Sequence, residues 1–171
     1  RIFRELSGLV EKDTDTLKHN YDALVSLDVM TAEACLRAAL EAGPAILRST
    51  PGLELRDARH PLLSRQRSSV ANDIILGEQH NILIVSGPNA GGKTVVLKTV
   101  GLIHLMAKAG LLLPVDRTSS VYLFDHLYLE MGDAQNLSAN LSTFSGHLMG
   151  LKPILEKADA HDLVLLDELA V

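Results

Sequence analysis

Apolar residues recur at helical spacing through the first quarter of the chain. Between Asp13 and Ala42 they stand at Leu17, Tyr21, Leu24, Val25, Val29, Ala32, Cys35, Leu36, Ala39 and Leu40. This period predicts one long helix or two stacked ones, either bracing a domain or packed as a core helix. Asp13 or Thr14 is suited to cap its start, and Gly43 with Pro44 is a stop signal. We assign residues 1–50 to a helical segment.

Short apolar runs alternate with polar loops over the rest of the chain. The runs predict strands at residues 53–57, 73–76, 81–86, 121–124, 127–131 and 163–166. Helical spacing predicts helices over residues 92–109 and 143–158, the second carrying Pro153. The order of elements indicates an α/β domain over residues 51–171, with a mixed sheet flanked by helices.

Composition narrows the class of protein. The 171 residues are 47% hydrophobic, which suits one compact domain or one domain with an appendage. No apolar run reaches the roughly 18 residues that span a bilayer, and no signal peptide is evident, so a cytoplasmic location is the default expectation. The net charge of -5 argues against this chain being the main DNA-binding surface, so we expect any DNA contact to lie mostly in other parts of the protein. Because the chain lacks a starting Met and stops after an acidic strand end, we expect it to be a piece of a larger protein.

One glycine-rich segment fits the phosphate-binding pattern G-x-x-x-x-G-K-[ST]. It comprises Gly87, Pro88, Asn89, Ala90, Gly91, Gly92, Lys93 and Thr94, and Val95 follows in the predicted helix. The glycines let the backbone turn around phosphate oxygens, while the loop amides and the helix start supply positive potential. Lys93 is suited to neutralise the β and γ phosphates and Thr94 to ligate magnesium. The alternative is a chance glycine-rich turn.

A second acidic site ends the last predicted strand. Asp167 is suited to hold the magnesium ion through its shell, and Glu168 to polarise the attacking water as general base. The alternative is an ordinary strand end that meets solvent. ATP and Mg²⁺ are therefore the expected cofactors, and ATP hydrolysis is the expected reaction.

Other candidate chemistry is weaker. The polar stretch from Gly132 to Phe144 is suited to carry a glutamine or serine to a nucleotide, but by sequence physics alone a solvated loop ending in a Ser or Thr helix cap is the favoured interpretation. The seven histidines show no metal-binding spacing. Among them, His60, His104 and His147 are interpreted as packing or surface residues. No serine-hydrolase elbow is present.

The loop and its flanks, residues 84–94, resemble the MutS family of DNA-mismatch and recombination ATPases. Further blocks similar to that family follow in family order at residues 58–63, 72–74, 94–102, 132–135, 141–144 and 165–169. Thr94 after Lys93, and the Gly-Asp-x-Gln and Leu-Ser-Thr-Phe forms, resemble the MutS-two branch. Residues 23–28 resemble the end of the lever and core helices that lead into this ATPase.

The resemblance implies a P-loop ATPase of the ABC-like type, truncated after the Walker B strand. It implies a homodimer with each nucleotide between two subunits, in which Asn89 contacts phosphate and Ser142 meets the γ phosphate of the opposite subunit. It also implies branched or mismatched DNA and stalled ribosomes as partners of the whole protein, and any nuclease activity in a separate domain. The mismatch branch stacks an aromatic residue on adenine near the position where this chain has Ser69 and Val70.

Two other functions fit parts of the pattern. A small-molecule kinase uses the same loop within one subunit, but it needs a lid and an acceptor pocket that the sequence does not indicate. A non-catalytic fragment would hold phosphate or nothing in the loop. We expect the fragment alone to be inactive in hydrolysis.

Overall fold

The computed structural model describes residues 2–64, 70–77, 79–87, 92–131 and 140–167, with side chains of the last range from residue 149. The chain divides into two compact units, residues 1–39 and 40–171. The backbone of Gly43 pairs with that of Leu113, so this part of the predicted helical segment lies in the second unit. Among the described residues, no helix is both long and apolar enough to cross a membrane.

The first unit consists of two helices, α1 (Ile2–Lys12) and α2 (Thr14–Leu40). The last residue of α2, Leu40, is counted with the second unit. The two helices meet at Asp13, whose amide donates to the carbonyl of Val10 at 3.1 Å. Leu40 is the one buried residue of α2. The structure does not show this stretch as a packed core helix, since side chains such as Tyr21 and Leu24 are exposed. Cys35 is exposed on the same helix.

A four-stranded sheet opens the second unit. Its strands are β1 (Ile46–Leu47), β2 (Gly52–Ala58), β3 (Asn72–Gly77) and β4 (Ser120–Val121), in the order β1-β4-β2-β3. The β1–β4 pair is parallel, while β2 runs antiparallel to both of its neighbours. The strands predicted at residues 53–57 and 73–76 are confirmed.

The strand predicted at residues 121–124 is only partly right, because β4 ends at Val121. The amide of Tyr122 still donates to the carbonyl of Gly52 at 2.9 Å. Further on, the carbonyls of Phe124 and Asp125 accept hydrogen bonds from the Lys108 ammonium at 3.0 and 2.8 Å. These two carbonyls are thus bonded to a side chain and not to a neighbouring strand.

A second, parallel strand pair lies between helices. It consists of β5 (Leu127–Met131) and β6 (Leu163–Asp167), in a register that pairs Leu127 with Leu163 and Met131 with Asp167. The helices are α3 (Lys93–Lys108) and α4 (Asn140–Lys157). All four elements were predicted, although α4 begins three residues earlier than expected, and it continues through Pro153.

The strand predicted at residues 81–86 is not formed. Its backbone joins no strand of the described chain, and Ile82 and Ile84 are 79% and 84% exposed. An apolar run becomes a buried strand only where neighbouring strands satisfy its amides and carbonyls. Among the described residues β5 and β6 pair only with each other, so the amides and carbonyls of this run are joined to neither strand.

Helix α3 links the two sheets through one apolar core. Gly101 gives the closest approach, because a Cβ placed there would lie 3.1 Å from Leu165 Cδ1 and 3.8 Å from Leu127 Cδ2. The helix thus lies against one face of the β5–β6 pair. Buried apolar residues from both sheets, α3 and the connecting loops form this core: Leu53, Leu55, Ala58, Ile74, Val100, Ile103, Leu113, Val115, Val121, Phe124, Leu163 and Leu165.

Candidate functional site

The two ends of the predicted phosphate loop are joined by a hydrogen bond. Lys93 Nζ donates to the carbonyl oxygen of Gly87 at 2.8 Å, and both residues are in the described part of the chain. Gly92 has φ 79° and ψ 17°, the left-handed conformation that glycine adopts without steric cost. The intervening predicted site residues, Pro88, Asn89, Ala90 and Gly91, lie outside the described residues.

The start of helix α3 has features that favour an anion. Gly92 caps it without a side-chain hydrogen bond, and its first turn contains no acidic residue. The free amides of a first helical turn, together with the helix dipole, favour negative charge. The ammonium of Lys93 adds a full positive charge at the same place. Val95, also predicted to bind the nucleotide, is the third residue of this helix.

A hydroxyl and a carboxylate meet beside this helix start. Thr94 Oγ1 donates to Asp167 Oδ2 at 2.6 Å, across 73 positions of sequence. Thr94 is in the first turn of α3, and Asp167 is the last residue of β6. Both are half-buried, so the pair keeps access to solvent. The structure thus brings together the two residues that the sequence predicted as metal ligands.

Strand geometry explains why Asp167 faces Thr94. Side chains of a strand alternate between faces, so Asp167 shares the face of Leu165. That face is the one on which α3 packs, through the contact of Gly101 with Leu165. Gly101 was not among the predicted site residues; its signal in the sequence is a glycine two turns into the helix that follows the predicted phosphate loop.

The donor set fits a hard divalent cation. Magnesium prefers oxygen ligands such as hydroxyl and carboxylate, and it keeps several waters while bridging to phosphate. Thr94 and Asp167 would hold the ion, and an ion at this position would neutralise phosphate charge beside Lys93. Two further predicted site residues cannot be placed: Glu168 lies outside the described residues, as does the side chain of Ser142.

Two histidines are buried, as the packing interpretation predicted: His104 is part of α3, and His60 follows β2. His60 accepts a hydrogen bond at Nδ1 from the amide of Leu62 at 3.2 Å, and burial, then the charge of Lys98, lower its pKa. His104 is 1% exposed and lies edge-on to Phe124, with ring centroids 5.6 Å apart. Burial lowers its pKa as well, followed by the charge of Lys108. Both rings are therefore neutral at pH 7 and serve as packing groups.

The architecture and the site define a mixed α/β protein with a candidate cation and anion site at the carboxyl end of a parallel strand. Residues 83–170, half of the chain, match the family described as MutS domain V. The chain belongs to the MutS family.

Relatives support the closer resemblance to the MutS-two branch. The chain is 43% identical over 169 residues to proteins named "Endonuclease MutS2" from Clostridium perfringens and Pediococcus pentosaceus, and 41% identical to one from Shouchella clausii. Each match covers 99% of this chain and 21% of the relative. The chain therefore spans about a fifth of the length of these relatives, and the resemblance to this branch is confirmed.

Proposed function

We propose that this chain is the ATP-binding part of a MutS-two-type ATPase, with the triphosphate bound by residues 87–95 and magnesium by Thr94 and Asp167. The 2.6 Å hydrogen bond between these two side chains carries the proposal. A hydroxyl of the proposed phosphate loop and a strand-end carboxylate at this distance would be able to share one cation. A chance glycine-rich turn gives no reason for that pairing.

The roles of the other residues follow from charge and position. Lys93 would leave the carbonyl of Gly87 and contact the β and γ phosphates, since a phosphate is a stronger acceptor than a peptide carbonyl. The amides from Gly92 onward would donate to phosphate oxygens. Glu168, one residue beyond Asp167, would act as general base toward water.

Hydrolysis would belong to a homodimer. Ser142 of one subunit would contact the γ phosphate held by the other, so the site is complete only across the interface. The whole protein would act on branched or mismatched DNA or on stalled ribosomes. The main nucleic-acid-binding surface would lie outside this chain, because a net charge of -5 disfavours binding to a phosphate backbone. The endonuclease activity in the relatives' names would likewise belong to another domain.

Thermal unfolding with magnesium and ATP tests the nucleotide site. A ligand that binds the folded state raises the free energy of unfolding by mass action, about 2.7 kcal/mol at 100 times its Kd. We expect a rise in Tm for the wild type and none for Lys93→Ala. Lys18→Ala, an exposed lysine on α2, is the matched control and should behave as the wild type.

The outcomes separate the alternatives. An unchanged Tm at millimolar nucleotide would favour the non-catalytic fragment over the proposed site. If nucleotide binds but the full-length protein hydrolyses ATP equally well as a monomer, a single-subunit enzyme such as a kinase becomes the better interpretation. ATPase activity that rises with dimer concentration supports the proposal.

A further inference from the structure

Helix α4 approaches strand β5 through an acidic side chain and a glycine. A Cβ placed on Gly150 would lie 2.5 Å from Glu130 Oε2 and 2.7 Å from Glu130 Oε1. The carboxylate therefore lies close to the backbone of α4, and it would have to move to admit a side chain at position 150. Glu130 is half-buried, one residue before the end of β5.

Glu130 and Asp167 belong to opposite faces of the same strand pair. Met131 is the register partner of Asp167, and Glu130 is the partner of Leu166. Because side chains alternate along a strand, Asp167 is directed to the α3 face and Glu130 to the α4 face. Two carboxylates one register step apart thus contact the two helices that cover this strand pair.

The helix that Glu130 contacts carries a residue of the proposed dimer site. Ser142 lies in the first turn of α4, and Gly150 is eight residues further along it. A regular helix is stiff over this distance of about 12 Å, so a shift of the helix at Gly150 displaces its first turn. The placement of α4 on β5 therefore determines where Ser142 is presented.

We propose that Glu130 is a positioning residue. Its carboxylate, in contact with α4 at Gly150, fixes the position of α4 on β5 and thereby the position of Ser142 relative to the nucleotide of the second subunit. This inference rests on the proposed function and adds a residue to it. It assigns no contact between Glu130 and nucleotide. Loss of the contact between Glu130 and Gly150 should therefore reduce the turnover of ATP and leave nucleotide affinity at the proposed phosphate loop unchanged.

The test uses the full-length protein with substitutions at the two contact positions. In Gly150→Ala, the new methyl group displaces the carboxylate, which is the flexible end of a side chain, so the fold should tolerate it. We expect Gly150→Ala and Glu130→Ala each to lower the kcat of ATP hydrolysis at least tenfold, with the Kd for ATP within twofold of the wild type. Glu130→Gln keeps the shape of the side chain and should retain most of the activity.

The double variant and a helical control sharpen the result. If both substitutions remove one contact, Glu130→Ala combined with Gly150→Ala should be no worse than either alone. Gly8→Ala is the control, because a Cβ there meets no atom within 4 Å. Unchanged kcat in both single variants, losses that multiply in the double variant, or a parallel loss of ATP affinity would overturn the inference. A wild type without ATPase activity would instead overturn the proposed function beneath it.

Discussion

The contact between Thr94 and Asp167 is a short, charge-assisted hydrogen bond in a half-buried place. Thr94→Ala removes the donor and one proposed magnesium ligand, whereas Thr94→Ser keeps both. We expect Thr94→Ala to lower the free energy of unfolding by about 1 kcal/mol and to abolish the part of ATP binding that depends on magnesium. Isothermal titration with and without magnesium measures this. Equal magnesium dependence in the alanine and serine variants would contradict the assignment.

Buried histidines make the second unit sensitive to acid. Folding lowers the pKa of His104 and His60 below the unfolded value of about 6.5, so each stabilises the fold only while neutral. That stability is complete above about pH 6.5 and is lost as the pH falls below it toward the folded pKa. We expect the free energy of unfolding to be level from pH 7 to 8 and to fall below pH 6.5, by at most about 1.4 kcal/mol per pH unit for each histidine. Urea unfolding across this range measures it.

A single substitution separates the contribution of His104. Its ring nitrogens have no hydrogen-bond partner among the described residues, so His104→Phe loses no such bond and keeps an aromatic ring beside Phe124. The acid slope should decrease by about the share of one histidine in this variant. If the slope is unchanged, His104 does not titrate on unfolding in this range.

Much of the site was predictable at this scale, because the chemistry is encoded by local patterns. The spacing of Gly87, Gly92, Lys93 and Thr94 indicated a phosphate loop, and a carboxylate after an apolar run indicated Asp167. Neither pattern indicates that the fold brings Thr94 and Asp167 together across 73 positions of sequence. The Glu130–Gly150 contact had no sequence signal, since one acidic residue in a strand and one glycine in a helix are common in any chain.

At the scale of elements, periodicity predicted α2, α3, β5 and β6 well, because a helix or strand of sufficient length shows its own pattern. It failed where the outcome depends on neighbours. Residues 81–86 have the composition of a buried strand but join no described strand, and α2 has apolar spacing without a covering partner in the described chain. Sequence pattern reports which face is apolar and leaves open what, if anything, covers it.

Gly101 offers a test of how α3 packs on the strand pair. Gly101→Val adds a branched side chain where Leu165 Cδ1 already lies 3.1 Å from an added Cβ. Overpacking of this kind typically costs about 1–3 kcal/mol, so we expect the variant to unfold at lower denaturant concentration. Gly8→Ala, in the exposed helix α1, should instead stabilise the chain by up to about 1 kcal/mol. A Gly101→Val variant as stable as the wild type would mean that the helix does not pack this closely.

At the scale of the whole molecule, the two units differ in what holds them. Helix α2 exposes most of its side chains, while β2 and α3 contribute to a shared core. Local opening is easier where fewer apolar groups are buried. We expect amides of residues 14–39 to exchange with deuterium at least tenfold faster than those of residues 53–58 and 99–104. Equal protection in native-state exchange would show that α2 is as firmly held as the core.

The exposed thiol of Cys35 has a practical consequence, because it is the only cysteine of the 171 residues. A maleimide dye or a nitroxide spin label would attach at this one position without any engineered substitution. The label would be on α2, in the first unit, whereas the proposed phosphate loop belongs to the second unit. Fluorescence anisotropy or electron paramagnetic resonance would then follow the tumbling of this helix as nucleotide is added.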